Sequence, residues 1–176
     1  DTFTQAALEV CEGQQFDMDF EHRNDVKEEE YLDMIRLKTS VLLAAGLKMG
    51  AQLAGASPED AQHFYDFGVN IGIAFQLKDD LLDVYGDPKV FGKNIGGDIL
   101  CNKKTYMLIK ALERADKEQA AELHTWLKKE NFEPTEKIEA VTALYNQIGV
   151  KLVCESKMRE YYAKGLDSLS LISAAE

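Results

Sequence analysis

The sequence predicts an all-α protein, a compact bundle of helices. No run alternates apolar and polar residues at the period of two that marks a strand, whereas apolar residues recur at helical spacing. Two helix starts have clear capping signals. Ser57 can cap a helix that has Pro58 at its first position, and Asp116 with Gln119 has the spacing of a capping box. We expect about six to seven helices in a single domain over residues 1–176.

The first half of the chain predicts two long helices. Asp25 and Glu28 are spaced as a capping pair, and the apolar positions Tyr31, Ile35 and Leu42 continue from there at helical spacing to about Leu53. The next helix starts after Ser57 and should be largely buried, because apolar residues lie on most of its sides.

The second half predicts a loop and further helices. The long apolar helix should end near Gly86, and the glycine-rich stretch 86–97 is typical of a loop. A helix is then expected from Lys103 to about Ala115. After the helix capped by Asp116, Pro134 should start a long final helix that runs through about Leu169.

Composition excludes several classes of function. The chain has 20 basic and 31 acidic residues, a net charge of −11, which argues against nucleic acid or an anionic membrane as a partner. Three separate cysteines and three unclustered histidines argue against a structural zinc site and a disulfide framework, and fit a reducing cytoplasm. No apolar run approaches the ~20 residues that span a bilayer, and no signal peptide is present.

The most informative feature is a polar stripe on the apolar helix. Four side chains fall at positions i, i+3, i+4 and i+7 of that helix, namely Gln76, Asp79, Asp80 and Asp83. Carboxylates this close repel one another and are costly to remove from water. A hard divalent cation such as Mg²⁺ would compensate them, because Mg²⁺ takes oxygen ligands. The alternative is a solvated acidic face.

Two further features place lysines near this stripe. Lys38, followed by Thr39, lies on an apolar helix face shared with Tyr31, Ile35, Leu42 and Ala45. The Lys38 ammonium group either binds a ligand or reaches past the apolar face to water. Lys103 and Lys104 stand at the expected start of a helix, where they oppose the helix dipole unless an anion binds there; solvated surface lysines are the alternative.

Two weaker features complete the set. The loop carries Lys93 after Gly92, and Asp98 after Gly96 and Gly97. Its glycines would allow it to fold over a charged group; the alternative is that it only connects two helices. Near the beginning of the chain, Gln14 and Asp17 lie one turn apart, which a polar patch on an exposed helix end would equally explain.

In this order and at these spacings the motifs resemble the trans-isoprenyl diphosphate synthases, a family that includes farnesyl and geranylgeranyl diphosphate synthases. Phe75-Gln76-x-x-Asp79-Asp80-x-x-Asp83 is similar to the second aspartate-rich motif of that family. The likeness spans about residues 5–110. The other matching segments are Gly13-Gln14, Lys38-Thr39, Gly86-Asp87-Pro88, Gly92-Lys93, Gly97-Asp98-Ile99 and Asn102-Lys103.

The chain also departs from the family pattern. It holds no first aspartate-rich motif upstream of Gly13-Gln14, nor the paired arginines that follow that motif in the family. The resemblance therefore implies an isoprenoid synthase bundle of which residues 1–176 are the C-terminal half. Such a half is expected to show no activity alone, because the partner metal motif lies outside it.

The resemblance implies a Mg²⁺-dependent enzyme, with up to three ions in the family, that joins isopentenyl diphosphate head to tail to an allylic diphosphate. The expected product is a short-chain (C15–C20) prenyl diphosphate. Asp79, Asp80 and Asp83 would serve a metal ion, and Asp98 would support it. Lys38, Thr39 and Gln76 would act at the reacting centre. The substrate contacts would be Gln14, Asp17, Lys38, Thr39, Phe75, Gln76, Lys93 and Lys103.

Two other functions share these features. A class I terpene cyclase has a similar helical fold and aspartate-rich metal chemistry, but the Gly92-Lys93 loop and Lys38-Thr39 argue against it. A non-catalytic regulatory subunit of a prenyl synthase would keep the fold without needing the aspartates and lysines. For the full-length enzyme the resemblance implies a homodimer.

Overall fold

The computed structural model describes residues 1–87, 89 and 95–173, and confirms an all-α fold. Within these ranges nine α-helices and one π-helical turn follow one another, more than the six to seven expected. The helices are α1 Thr2–Glu21, α2 Glu28–Ile35, a π-helix Arg36–Ser40, α3 Val41–Leu53, α4 Pro58–Tyr85, α5 Gly97–Leu100, α6 Tyr106–Arg114, α7 Lys117–Lys128, α8 Pro134–Ile148 and α9 Val150–Ser170.

Helix starts marked by local capping signals are confirmed. The Ser57 hydroxyl accepts a hydrogen bond from the backbone N–H of Asp60 at 3.0 Å, with Pro58 at the first helical position. Asp116 and Gln119 form the expected reciprocal capping box. The long helix α4 ends at Tyr85, as predicted, and the following loop lies partly outside the described residues.

Three predicted boundaries are wrong. The single final helix is two helices, because Gly149 adopts φ 79°, a left-handed conformation that ends α8. The helix expected from Lys103 begins at Tyr106, where Thr105 is the cap. The cap of α2 is Lys27 and not Asp25: the carboxylate of Glu30 accepts a hydrogen bond from the Lys27 backbone N–H at 3.0 Å.

Helix α4 is the centre of the bundle. It packs most extensively against α3 on one side and α9 on another. Its buried side chains join residues of α2, α6, α8 and α9 in one apolar core, as the prediction of a largely buried helix requires. Core members along α4 are Ile73, Leu77, Leu81 and Val84. None of the helices in the described ranges is long and apolar enough to cross a membrane.

The π-helix changes which residues face this core. A π-turn holds one more residue than an α-turn, so the buried face shifts along the sequence after it. Leu42 was predicted on the buried stripe, but its side chain is 49% exposed, and Val41 and Ala44 are fully buried instead. The prediction for Leu42 assumed an uninterrupted α-helix.

Small residues let α4 approach the π-helix and α3 closely. A Cβ atom placed on Gly72 would lie 2.5 Å from the Ser40 hydroxyl oxygen and 2.7 Å from the Ser40 Cα. A Cβ on Gly68 would lie 2.5 Å from the Ala44 Cα. Both distances are well inside van der Waals contact, so these positions of α4 require glycine.

We expect Gly72→Ala to lower the free energy of unfolding by about 1–3 kcal/mol, because the added methyl group overpacks against Ser40. Gly50→Ala in α3 is the matched control, since nothing lies within 4 Å of its added Cβ. That change should be neutral or stabilising by up to about 1 kcal/mol through helix propensity. Urea denaturation followed by circular dichroism measures both. Equal effects of the two substitutions would contradict the close packing.

Candidate functional site

The three aspartates of the predicted stripe on α4 do not share one surface. Asp80 is 2% exposed and faces the core, where its Oδ2 accepts a short hydrogen bond from the Tyr31 hydroxyl and a second, of 3.2 Å, from the Tyr106 backbone N–H. Asp79 and Asp83 are only half-buried. The predicted continuous stripe is therefore divided, because α2 and α6 pack over the side of α4 that carries Asp80.

Burial also changes the charge of Asp80. Loss of water raises its pKa to about 7, although the hydrogen bond from Tyr31 opposes that rise. The same burial, together with the Asp80 charge, raises the pKa of Tyr31, so the phenol stays a hydrogen-bond donor. Asp80 is thus a core group that binds α2 and α6 to α4.

Asp83 holds the end of the glycine-rich loop. Its Oδ2 accepts a hydrogen bond from the Asp98 backbone N–H at 3.0 Å, and its backbone carbonyl accepts one from Gly96 at 2.6 Å. The loop therefore returns to α4 within one turn of the aspartates. These contacts place Asp98, at the start of α5, beside Asp83.

Asp98 forms an ion pair with Lys103. The distance between Asp98 Oδ1 and Lys103 Nζ is 3.4 Å. Burial raises the pKa of Asp98, helped by the charges of Asp83 and Asp79 and opposed by Lys103. Burial alone would lower the pKa of Lys103, but the negative charges of Asp98 and Asp80 outweigh it and raise that pKa. Lys103 is therefore a fully charged cation facing the aspartates.

Lys38 forms a second ion pair in the same region, with Asp17. Its Nζ lies 2.6 Å from Oδ2 of Asp17 in α1, and both side chains are about one-fifth to one-third exposed. The neighbouring Thr39 hydroxyl donates to Oε1 of Gln76 at 3.3 Å. Lys38 and Thr39 belong to the π-helix, so the irregular turn presents both side chains toward α4 and α1.

Lys38, Lys103 and their neighbours line two depressions that have residues in common. A narrow opening is lined by Asp17, Lys38, Gln76, Asp80 and Lys103, together with the apolar residues Tyr31, Met34 and Ile35. A wider cleft of about 590 Å³ shares Asp17 and Lys103 with it and extends along α5 past Asp98 to Lys104 and His22. A larger, mostly apolar groove of about 710 Å³ between α3 and the start of α4 contains none of these residues.

Not every predicted site residue joins this group. Gln14 is exposed on α1 and lines neither depression. Three further predicted site residues also lie outside both linings, namely Thr39, Asp79 and Asp83. The Phe75 side chain is 65% exposed, so it encloses no pocket in the described part of the chain. Lys93 lies outside the described residues, and its role stays a prediction. Lys104 donates to the Asn102 carbonyl at 3.2 Å, which leaves Lys103 as the lysine that faces the aspartates.

Two residues that shape the site were not predicted as functional. Tyr31 was predicted only as an apolar position, yet its hydroxyl holds Asp80. Asn102 adopts φ 53°, the left-handed region that few residues other than glycine occupy, and so shapes the turn before Lys103. An asparagine between a short helix and a new helix start is a signal for such a turn, but only the structure shows what it contacts.

The carboxylates of the site suit Mg²⁺ in part. Carboxylate oxygens suit this ion, and Asp79 and Asp83 stand one helical turn apart with half-exposed side chains. Within the described ranges, however, no three acidic, histidine or cysteine side chains converge as a ready cage. The four predicted ligands are therefore not gathered into one set. Asp79 and Asp83 fit an ion that takes its other ligands from water or substrate phosphates, as Mg²⁺ commonly does.

Comparison with known proteins agrees with this architecture. The family model described as polyprenyl synthetase matches residues 1–146. The chain is 48% identical over 118 residues to a short chain isoprenyl diphosphate synthase of Methanothermobacter thermautotrophicus, covering 67% of this chain and 36% of that protein. It is 35% identical over 173 residues to a geranylfarnesyl diphosphate synthase of Aeropyrum pernix, covering 98% of this chain and 53% of that protein.

Solved structures give the same result. A crystal structure of a geranylgeranyl pyrophosphate synthase superposes with a TM-score of 0.93 at 45% identity, covering 99% of this chain and 54% of that one. A geranylgeranyl pyrophosphate synthase from Corynebacterium glutamicum, complexed with isoprenyl diphosphate and magnesium, superposes with a TM-score of 0.89 at 33% identity, over 100% and 50% of the two chains. The chain spans about a third to a half of the length of these relatives, and it belongs to the polyprenyl synthetase family.

Proposed function

We propose that this chain supplies part of the active site of a Mg²⁺-dependent prenyltransferase. The enzyme joins isopentenyl diphosphate head to tail to an allylic diphosphate and makes a short-chain (C15–C20) prenyl diphosphate. The observation that carries the proposal is the series of contacts that joins Lys103 to Asp98 and Asp98 to Asp83, beside an opening that Lys38 and Lys103 both line. A diphosphate needs both cations and metal-binding carboxylates, and few other small substrates need both.

The two lysines suit the diphosphate groups. Each is now held by one carboxylate, Lys38 by Asp17 and Lys103 by Asp98, and each is partly withdrawn from water. A diphosphate group attracts an ammonium group more strongly than a carboxylate does, because the diphosphate group carries more negative charge. Charge-assisted hydrogen bonds of this kind contribute about 1.5–3 kcal/mol each. The lysines would bind and orient the substrate by exchanging their present partners for it.

The aspartates divide into two roles. Asp79 and Asp83 would hold Mg²⁺, and Asp98 would support Asp83 through its backbone N–H. When bound, the metal neutralises charge on the diphosphate and makes it a better leaving group. Asp80 anchors α4 to Tyr31 and Tyr106 and so keeps its two neighbours in place.

Uncharged polar groups of the site would stabilise the positive charge that forms on the allylic carbon atoms. The allylic C–O bond breaks with its electron pair leaving on diphosphate, the double bond of isopentenyl diphosphate attacks the allylic cation, and a proton is lost to the released diphosphate. The Lys38 carbonyl, the Thr39 hydroxyl and the Gln76 amide present dipoles to a positive charge. Phe75 would add an apolar surface that excludes water.

The remaining expectations belong to the same proposal. A synthase of this kind would act as a homodimer when full length, in the cytoplasm, where free cysteines such as Cys11 and Cys101 stay reduced. The match to the polyprenyl synthetase family over 1–146 favours a prenyltransferase over a terpene cyclase or a regulatory subunit.

The test uses the gene-encoded protein with Mg²⁺, labelled isopentenyl diphosphate and an allylic diphosphate. The expected product is a labelled prenyl diphosphate that is longer than the allylic substrate. A terpene cyclase would convert the allylic diphosphate alone to a hydrocarbon. A regulatory subunit would give no product until an active synthase is added. Either of these two results would overturn the proposal.

In that protein, we expect Asp79→Ala to lower turnover by roughly two to three orders of magnitude with little change in stability, because a group that stabilises developing charge is lost. Asp66→Ala is the matched control. Asp66 is another half-buried aspartate of α4, and its carboxylate only accepts a surface hydrogen bond from Gln62. Steady-state rates and thermal unfolding measure both. Unfolding of Asp79→Ala, or equal rates for the two variants, would show that Asp79 binds no metal.

The division of roles predicts a second difference. Asp80→Asn keeps an amide oxygen for the Tyr31 and Tyr106 donors, so turnover should fall by no more than about tenfold, the equivalent of ~1.4 kcal/mol. Asp79→Asn removes the charge from a metal ligand and should cost far more. Magnesium titrations of both variants separate the effects, because only Asp79→Asn should need more Mg²⁺. The reverse order would identify Asp80 as the ligand.

A further inference from the structure

A buried lysine lies behind the cleft and takes no part in the chemistry proposed above. The Lys137 side chain, in the first turns of α8, is only 1% exposed. Its Nζ lies 4.2 Å from the centre of the Phe132 ring, and no ion pair with a carboxylate is formed within the described residues. Burial lowers the pKa of Lys137. Burying a charged ammonium group costs free energy unless the group is hydrogen-bonded or paired.

The ammonium binds the turn that precedes Lys103. It donates to the Leu100 carbonyl at 3.2 Å and to Oδ1 of Asn102 at 2.8 Å. The Asn102 amide uses its other end as well, since Nδ2 donates to the Leu127 carbonyl at 3.0 Å. Asn102, which has a left-handed backbone, is thus held from α8 and from α7 at once.

The next residue of α8 holds the other end of the same segment. Gly96 adopts φ 84° and lies against Ile138, so closely that an added Cβ would be 2.6 Å from the Ile138 Cδ1. Lys137 and Ile138 therefore contact the two ends of residues 96–102. Between those ends the chain carries Asp98, and directly after them Lys103.

The orientation of Lys103 depends on this segment. Its backbone N–H donates to the Asp98 carbonyl at 3.0 Å, and its ammonium pairs with the Asp98 carboxylate. Movement of the turn would therefore move both charged groups relative to Asp83. No residue of α8 lines either depression, so α8 can affect the site only through its contacts with this turn.

We infer that Lys137 is a positioning residue: by binding Leu100 and Asn102 it sets where Lys103 and Asp98 stand, and so the affinity of the cleft for diphosphate. The inference rests on the proposed function in that Lys103 binds diphosphate. It assigns to α8 a part in substrate binding although Lys137 touches no substrate.

The test compares three single variants of the gene-encoded protein and the double variant of the first two. Lys137→Met keeps the length of the side chain and removes the donor. Asn102→Gly keeps a left-handed backbone accessible and removes the acceptor. Lys129→Met is the matched control, because Lys129 also lies over an aromatic ring, 4.3 Å from the centre of Trp126, but contacts neither Leu100 nor Asn102.

The first measurement is hydrogen exchange across residues 97–104. Lys137→Met and Asn102→Gly should each speed exchange in this segment, and the effect of both together should be smaller than the sum of the two, because both break the Lys137–Asn102 hydrogen bond. The control should leave exchange unchanged. Should Lys137→Met fail to fold, Asn102→Gly carries the same comparison. Exchange at the wild-type rate in a folded variant would overturn the inference.

The second measurement is binding of inorganic diphosphate with Mg²⁺ by calorimetry, followed by steady-state kinetics. We expect the Kd and the KM for the diphosphate substrates to rise by about tenfold, with kcat changed by less than about twofold, as for a loss of uniform binding. Faster hydrogen exchange with an unchanged Kd for diphosphate would show that Lys137 only stabilises the turn, and would overturn the positioning role. Absence of diphosphate binding in the wild type would instead overturn the proposed function.

Discussion

The hydrogen bonds of Asp80 hold the site together. One buried carboxylate joins α4 to the Tyr31 hydroxyl of α2 and to the first backbone N–H of α6. A buried carboxyl group without partners costs several kcal/mol, so these donors strongly favour one arrangement of the three helices. That arrangement determines what the neighbours of Asp80 can do. With Asp80 turned into the core, Asp79 and Asp83 remain half-exposed, and Asp83 is free to accept the Asp98 backbone N–H.

The close packing of backbones serves the same arrangement. Gly72 of α4 lies directly against Ser40, the last residue of the π-helix, so α4 and the segment bearing Lys38 and Thr39 are in near contact. Side chains as short as Thr39 and Gln76 can then reach each other between the helices. π-Helical turns are rare, and they occur frequently at functional sites. Here the π-helix places consecutive functional residues where a regular helix would not.

Local signals were sufficient to predict the fold class and several helix ends, because a cap at Ser57 or Asp116 depends on residues within one turn. The motif around Asp79 also led to the correct family. Other features depend on contacts between distant segments. The inward turn of Asp80 requires Tyr31, 49 positions away, and the ion pair of Lys38 requires Asp17. Neither follows from residue type and spacing, since a tyrosine or aspartate at helical spacing fits a core or a surface equally well.

The charges of the cleft follow one physical rule. Two lysines there are partly withdrawn from water and paired with one carboxylate each, Lys38 with Asp17 and Lys103 with Asp98. Pairing lowers the cost of holding two like charges near each other while the cleft contains no anion. It leaves each lysine able to exchange its partner for a phosphate oxygen, provided that the backbone keeps the lysine in reach. For Lys38 the π-helix provides that support. For Lys103 the support comes from the turn at Asn102, and therefore from α8, a helix that contributes no side chain to the cleft itself.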